Sequence, residues 1–240
     1  MERFDRVKLL IGENALAKLN NASVAVFGVG GVGGYTVEAL ARSGVGKITI
    51  FDSDVVAKSN INRQIIATES TVGLDKVEVL KERILSINPN IKVTCYKQFY
   101  LPENAEKYPF DSYDYVVDAV DTVSAKVEII LRAKKANVPV ISCMGTGGKT
   151  DPSLLKVADI SKTQGCPLAR VMRKQLKDRG ISHVKTVYSI EERLLSLEQT
   201  QFAEKTHAGR IAPASMIFVP ATAGLMLARE VVFDIIGEKV

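Results

Sequence analysis

The stretch from Ala22 to Asp54, "ASVAVFGVGGVGGYTVEALARSGVGKITIFDSD", constrains this chain more than any other. A short apolar run ends at Gly28, and Gly30 and Gly33 complete a GxGxxG spacing with Gly31 between them. Val37, Leu40 and Ala41 then recur at helical spacing until Gly44 stops the run. Strand, bare loop and helix in that order place uncovered backbone N–H groups at a helix N-terminus, where phosphate oxygens bind. "KITIFD" reads as a second strand, and Asp52 at its end is placed to accept hydrogen bonds from a ribose. A nucleotide site follows, with NAD as its ordinary occupant.

The same alternation continues along the chain. "GLDKVEVLKERILSINP" puts Val77, Leu80, Ile84 and Ile87 on one helical face until Asn88-Pro89 ends it. "IKVTCY", "YDYVVDAV" and "VPVISCMG" read as strands and "SAKVEIILRAKKAN" as a helix. The expected class is therefore α/β, a doubly wound, mostly parallel, Rossmann-like sheet. Beyond Gly147-Gly148 the pattern weakens to short runs, "LLKVADI" and "VKTVYSI", around a basic helix, "CPLARVMRKQLKDRG". That half reads as a C-terminal elaboration of mixed strands and helices. No repeat or low-complexity linker divides the chain, so residues 1–240 are expected to form one domain, with a nucleotide-binding core at 22–145 and the elaboration at 146–240.

At 240 residues and 46% hydrophobic content the chain can bury one large core. Its net charge of +5 suits a polyanionic partner without requiring one. Cys95, Cys143 and Cys166 lie far apart with no CxxC pair, and His183 and His207 are the only imidazoles, which argues against structural zinc and a disulfide framework. The charged, amphipathic N-terminus lacks a secretory pattern, so a cytoplasmic location is expected. Ile211 to Ala228 carries no charge, but its prolines and small residues fit a strand, a turn and a buried helix starting near Pro220 better than a membrane span.

"SNINRQ", Ser59 to Gln64, argues against NAD. A dinucleotide pyrophosphate is neutralised largely by the helix terminus, whereas a triphosphate attacked at its α-phosphate needs cations around it. Arg63 and Lys76 supply them, although Lys76 also reads as a solvated helix residue. Asn60, Asn62 and Gln64 fit either nucleotide contacts or turns and caps. Asp118 and Asp121 in "VVDAVDT" end a parallel strand at the ligand edge, where a carboxylate beside a triphosphate is a reasonable magnesium ligand; Asp121 equally suits a helix N-cap.

"GVGGVG", the acidic pair Asp52 and Asp54 in "FDSD", "SNINRQ", "GLDKVE" and "DAVDT" follow the order and spacing of the adenylating superfamily of ubiquitin-activating enzymes and bacterial sulfur-carrier adenylyltransferases. The resemblance covers about residues 3 to 145 and implies ATP as the nucleotide. It assigns Arg63 and Lys76 to the ATP phosphates, Asp52 to the ribose, and Asp121 to the nucleotide and its magnesium. "RFDR" looks like the N-terminal RxxR of these enzymes, implying a homodimer in which Arg6 reaches the partner subunit's ATP. The sulfur-carrier enzymes typically carry two CxxC pairs, which this chain lacks. Over its whole length, including "GGKTDPSLLKVADISKTQGCPLARVMRKQLK", it resembles instead the bacterial tRNA threonylcarbamoyladenosine dehydratases. That family activates the threonyl carboxylate of a modified adenosine beside the anticodon with ATP, and the carbamoyl nitrogen then closes a ring. The implied partner is tRNA bearing threonylcarbamoyladenosine, with room for a sulfur-relay protein. Residues 146–240 are then expected to bind substrate and form the dimer.

Adenylation of a carrier protein's C-terminal carboxylate is the alternative within the superfamily. An oxidoreductase lacks a hydride-transfer site here, and a non-catalytic scaffold would not need Arg63, Lys76 and Asp121. Cys166, before Pro167 at a helix start, reads as a small residue there or as an acyl acceptor, and Cys143 as core. On the basic helix, Leu168, Val171, Met172 and Leu176 are expected on one face, with Arg170, Arg173, Lys174 and Lys177 elsewhere, facing RNA phosphates or solvent. Tyr188 and Phe202 are the candidate base-stacking aromatics.

Overall fold

The computed structural model describes residues 1–192 and 213–237. Two short helices, α1 (Asp5–Ile11) and α2 (Glu13–Asn21), are separated at Gly12, whose φ of 84° is in the region that favours glycine. The βαβ unit follows as β1 (Ser23–Phe27), α3 (Gly33–Ser43) and β2 (Lys47–Phe51). Next come α4 (Lys76–Ile87), β3 (Lys92–Tyr96), β4 (Tyr115–Asp118), α5 (Val123–Lys135) and β5 (Val140–Cys143). The remainder is β6 (Leu155–Asp159), α6 (Pro167–Lys177), β7 (Lys185–Ser189) and α7 (Phe218–Ile236).

The strands form one seven-stranded sheet in the order β3-β2-β1-β4-β5-β7-β6. All neighbours are parallel except β6 and β7. The two runs after Gly148 thus extend the same sheet. β1 and β4 are buried along nearly their whole length, which is why they read as continuous apolar runs. Parallel strands also put the ends of β1, β2, β4, β5 and β7 on one edge, with the strand order reversing between β1 and β4.

Helices cover both faces. Val37, Leu40 and Ala41 of α3, Leu80 and Ile84 of α4, and Leu227 and Val231 of α7 pack on one side. On the other side Ile129 and Ile130 of α5 and Met172 and Leu176 of α6 pack with Phe27, Phe51, Tyr100 and Phe110. α7 lies close against α3: a Cβ on Gly224 would come within 2.4 Å of the Val32 carbonyl oxygen, and Thr36 donates its hydroxyl to the Gly224 carbonyl. Tyr115 and Lys185 bind Asp234, tying the far end of α7 to the sheet.

Among the described residues no helix is long and apolar enough to cross a membrane. Two expectations change. No strand leads directly into α7 among the described residues, since 213–217 are irregular; the helix starts two residues before Pro220, where a missing N–H is tolerated in the first turn. On α6, Val171 is 46% exposed and does not share the buried face of Met172 and Leu176.

Candidate nucleotide-binding active site

The glycines after β1 meet two different demands. Gly28 has a φ of 82°, and a Cβ there would stand 2.8 Å from the Ala119 carbonyl oxygen; a Cβ on Gly33 would overlap the Gly28 carbonyl. The fold itself therefore requires both. Gly30 is different: a Cβ would meet only the Gln64 amide nitrogen, at an ordinary 3.6 Å. Its bare face is open to a ligand. The backbone N–H groups of Gly30, Gly31 and Val32 have no protein acceptor among the described residues and stand beside the N-terminus of α3, the arrangement that binds phosphate.

Asp52 faces this loop. One carboxylate oxygen accepts from the Val29 N–H at 2.8 Å and the other from the Asp54 N–H at 2.9 Å, which leaves lone pairs for ribose hydroxyls. Burial pushes the Asp52 carboxyl above its ordinary value, and the Lys76 ammonium opposes that rise. Lys76 is not a solvated helix residue: it is 5% exposed at the first position of α4, with Nζ 2.7 Å from Asp54. Its backbone N–H also bonds Asp54, and a Val55–Asp75 bridge completes the tether between the end of β2 and α4.

Arg63 also reaches the loop. Its Cγ lies 3.5 Å from the position of a Cβ on Gly31, and its guanidinium donates to the Ser59 carbonyl and the Asn62 side chain. Asn60 is buried and caps its own turn by accepting from the Ala57 N–H, while Asn62 donates to the Ser215 carbonyl. Gln64 is 7% exposed, and its Oε1 has no partner among the described residues. An orphaned buried acceptor beside the open glycine fits a bound nucleotide that supplies a donor. Pro220 also abuts Gly31, and the Ala214 carbonyl accepts from the Gly148 N–H, so residues 213–217 strap this edge from the β5 loop to "SNINRQ".

The two aspartates after β4 divide. Asp121 is exposed at the edge and is not the cap of α5, whose N-cap residue is Thr122. Asp118, expected at the nucleotide, is completely buried instead. It pairs with Lys126 at 2.9 Å and accepts from the Ser142 hydroxyl. Lys126 also donates to the carbonyls of Val120 and Cys143, clamping the turn that carries Asp121 to the ends of β4 and β5. Sequence reasoning missed Lys126 because a lysine in the first turns of a helix ordinarily reads as solvated. It missed Lys149 too, 5% exposed and donating to the Ser189 carbonyl, with burial pushing its pKa down.

No group of three or more His, Cys, Asp or Glu side chains suited to a metal occurs among the described residues. Asp121 alone fits a magnesium ion held mainly by phosphate oxygens and water. Cys143 is buried with its thiol pushed up to about 12, and Cys166 is buried beside Pro167. His183 is exposed next to Asp159, before β7 begins and so at the opposite edge; His207 and Phe202 lie outside the described residues. Tyr188 is 5% exposed and does not present a stacking face. Arg173 is partly buried and holds the carbonyls of Ile160 and Thr163, so it is not available to RNA. Arg6 is exposed on α1, whose leading residues lean on the far ends of α3 and α4: Phe4 approaches Gly44, and Arg3 bonds Asn88. Within one protomer it is remote from the glycine loop.

Comparison with known proteins agrees with this geometry. The ThiF family profile matches residues 4–239. The chain is 41% identical over 244 residues to the tRNA threonylcarbamoyladenosine dehydratase of Bacillus subtilis, covering 99% of this chain and 96% of that protein. It superimposes on the ATP complex of the Escherichia coli tRNA N6-threonylcarbamoyladenosine dehydratase with a TM-score of 0.88 at 35% identity, over 98% of this chain and 94% of the other. An adenylyltransferase and sulfurtransferase of Vanderwaltozyma polyspora is 37% identical over 58% of this chain and 31% of its own length. Matched by the family profile over nearly its whole length and by these relatives from end to end, the chain belongs to the ThiF family, among its tRNA threonylcarbamoyladenosine dehydratases.

Proposed function

We propose that this protein uses ATP to cyclise N6-threonylcarbamoyladenosine next to the anticodon of tRNA. The observation that carries the reading is the gathering of the open Gly30 face, the free loop N–H groups, Asp52, Lys76 and Arg63 around one glycine loop at the strand switch. A carboxylate resists attack until one oxygen becomes a good leaving group. The threonyl carboxylate oxygen attacks the α-phosphorus of ATP, and the bond to pyrophosphate breaks. The carbamoyl nitrogen then attacks the acyl carbon of the adenylate and loses its proton, while AMP leaves with the former carboxylate oxygen. The net change is loss of water from the nucleoside as ATP becomes AMP and pyrophosphate. Ring closure is intramolecular and gains from proximity, so no nucleophilic side chain is needed.

Loop N–H groups and Arg63 hold the phosphates, with Lys76 supplying positive charge from the β2 side; these preorganised groups stabilise charge growing on pyrophosphate and at the α-phosphate. Asp52 orients the ribose. Magnesium, held by Asp121 and phosphate oxygens, would supply further charge neutralisation. The working unit is a homodimer in which Arg6 acts across the interface, and its location is the cytoplasm, where tRNA and ATP meet.

The test is nucleoside mass spectrometry after incubation with ATP and tRNA bearing threonylcarbamoyladenosine. The expected product is lighter by one water, with AMP and pyrophosphate formed in step. Equal ATP cleavage with unmodified tRNA, or retention of the adenylated acid on a small carrier protein, would overturn the assignment.

A further inference from the structure

β6 is one of the sheet's two edge strands, and Lys156 faces the same side as its register partner Tyr188. After Asp159 the chain reverses, with the Asp159 side chain accepting from the Ser161 N–H, and passes back over that face. Ile160, 1% exposed, anchors the returning segment, and Arg173 holds it by donating to the Ile160 and Thr163 carbonyls at 3.0 Å each. The space left between segment and strand is a cleft of about 380 Å³ lined by Lys156, Lys162, Gln164, Gly165, Tyr188 and Ile190. The cleft is shallow and open to solvent, at the small end of ligand-sized volumes.

Its charge is one-sided. Lys156 and Lys162 have no carboxylate partner among the described residues, and they come from different elements to the same cleft, which no acidic side chain lines. Arg170, Lys174 and Lys177 are exposed on α6, the helix that Arg173 ties to this segment. One end of the cleft lies on the ligand-edge side of the sheet: Gly165 lies against the Ile190 carbonyl, and Ile190 follows Ser189 at the end of β7.

We infer that this cleft seats the sugar-phosphate backbone of the RNA strand carrying the reacting nucleoside, with Lys156 and Lys162 on its phosphates. The inference rests on the reaction proposed above. Single-stranded loops are recognised by holding the backbone while a base is splayed away, and a cationic track ending at the catalytic edge delivers the base there.

The test compares wild type with a Lys156→Gln, Lys162→Gln double variant in equilibrium binding to tRNA bearing threonylcarbamoyladenosine across a NaCl series. Losing two single-strand phosphate contacts should make the slope of log Kobs against log salt shallower by about 1.4. Affinity at low salt should fall at least about tenfold, while KM for ATP at saturating RNA stays unchanged. If wild type dehydrates and binds the tRNA but the double variant matches its affinity and slope, the cleft assignment fails and the reaction stands. If wild type neither binds nor dehydrates the tRNA, both fall. Loss of affinity for an acidic carrier protein with tRNA binding intact would also overturn the assignment.

Discussion

Glycine occupies positions 28, 30 and 33 for separable reasons, and that separation can be measured. At Gly28 and Gly33 the clash is with the protein's own backbone; at Gly30 only a side-chain amide stands nearby, at 3.6 Å. Gly30→Ala is expected to leave the melting temperature within about 2 °C of wild type. It should weaken ATP binding at least about tenfold, because the added methyl occupies the face where phosphate approaches. Calorimetric titration with ATP beside a thermal melt checks this, and unchanged affinity would show that the phosphates lie elsewhere. Lys76 teaches the same lesson about local context. As a sequence position it is one lysine among many at a helix start, but the structure sets it between Asp54 and Asp52 with almost no solvent contact. A lysine is buried at an unfavourable helix N-terminus only when anions surround it.

At the scale of elements, the Asp118–Lys126 pair joins the ends of β4 and β5 to the turn before α5. A buried ion pair contributes little net stability, since desolvation offsets its attraction, but removing one partner strands the other. Lys126→Met is expected to destabilise the fold by about 3–5 kcal/mol. Adding Asp118→Leu should restore most of that loss without restoring ATP turnover, because the turn carrying Asp121 has lost its clamp. Urea denaturation of the single and double variants reads the first effect and AMP formation the second. Full activity in a stable double variant would reduce the pair to packing. α3 is joined to α4 in a comparable way, through Glu38, which receives Arg83 at 2.7 Å and Arg42 at 2.8 Å. Burial pushes the Glu38 carboxyl up, but the two guanidiniums outweigh it and hold its pKa below the ordinary 4.5. Its contribution is therefore complete above about pH 4.5 and fades as acid protonates it.

At the scale of the whole molecule, the proposed homodimer can be tested through Arg6, which sits on α1 just after Phe4, the residue that approaches Gly44 at the far end of α3 from the glycine loop. Mixing inactive Arg6→Ala and Arg63→Ala proteins should then restore about a quarter of wild-type turnover. Half the randomly reassorted dimers are mixed, and each has one site with both arginines intact. No recovery after demonstrated subunit exchange would remove Arg6 from the site. The order of strands and helices through β5 and the glycine loop were legible in the chain because parallel strands are uniformly apolar and phosphate loops need bare backbone, both local properties. Asp52, Arg63 and Lys76 were legible as charges near that loop. What the sequence could not determine was the partner of each charge. Whether Asp118 meets magnesium or Lys126, whether Arg173 meets RNA or two carbonyls, and whether Val171 is covered depend on residues tens of positions away. Periodicity reports which way a side chain leaves its own element, while burial and pairing are set by what the rest of the chain brings against it, and only the tertiary structure decides that.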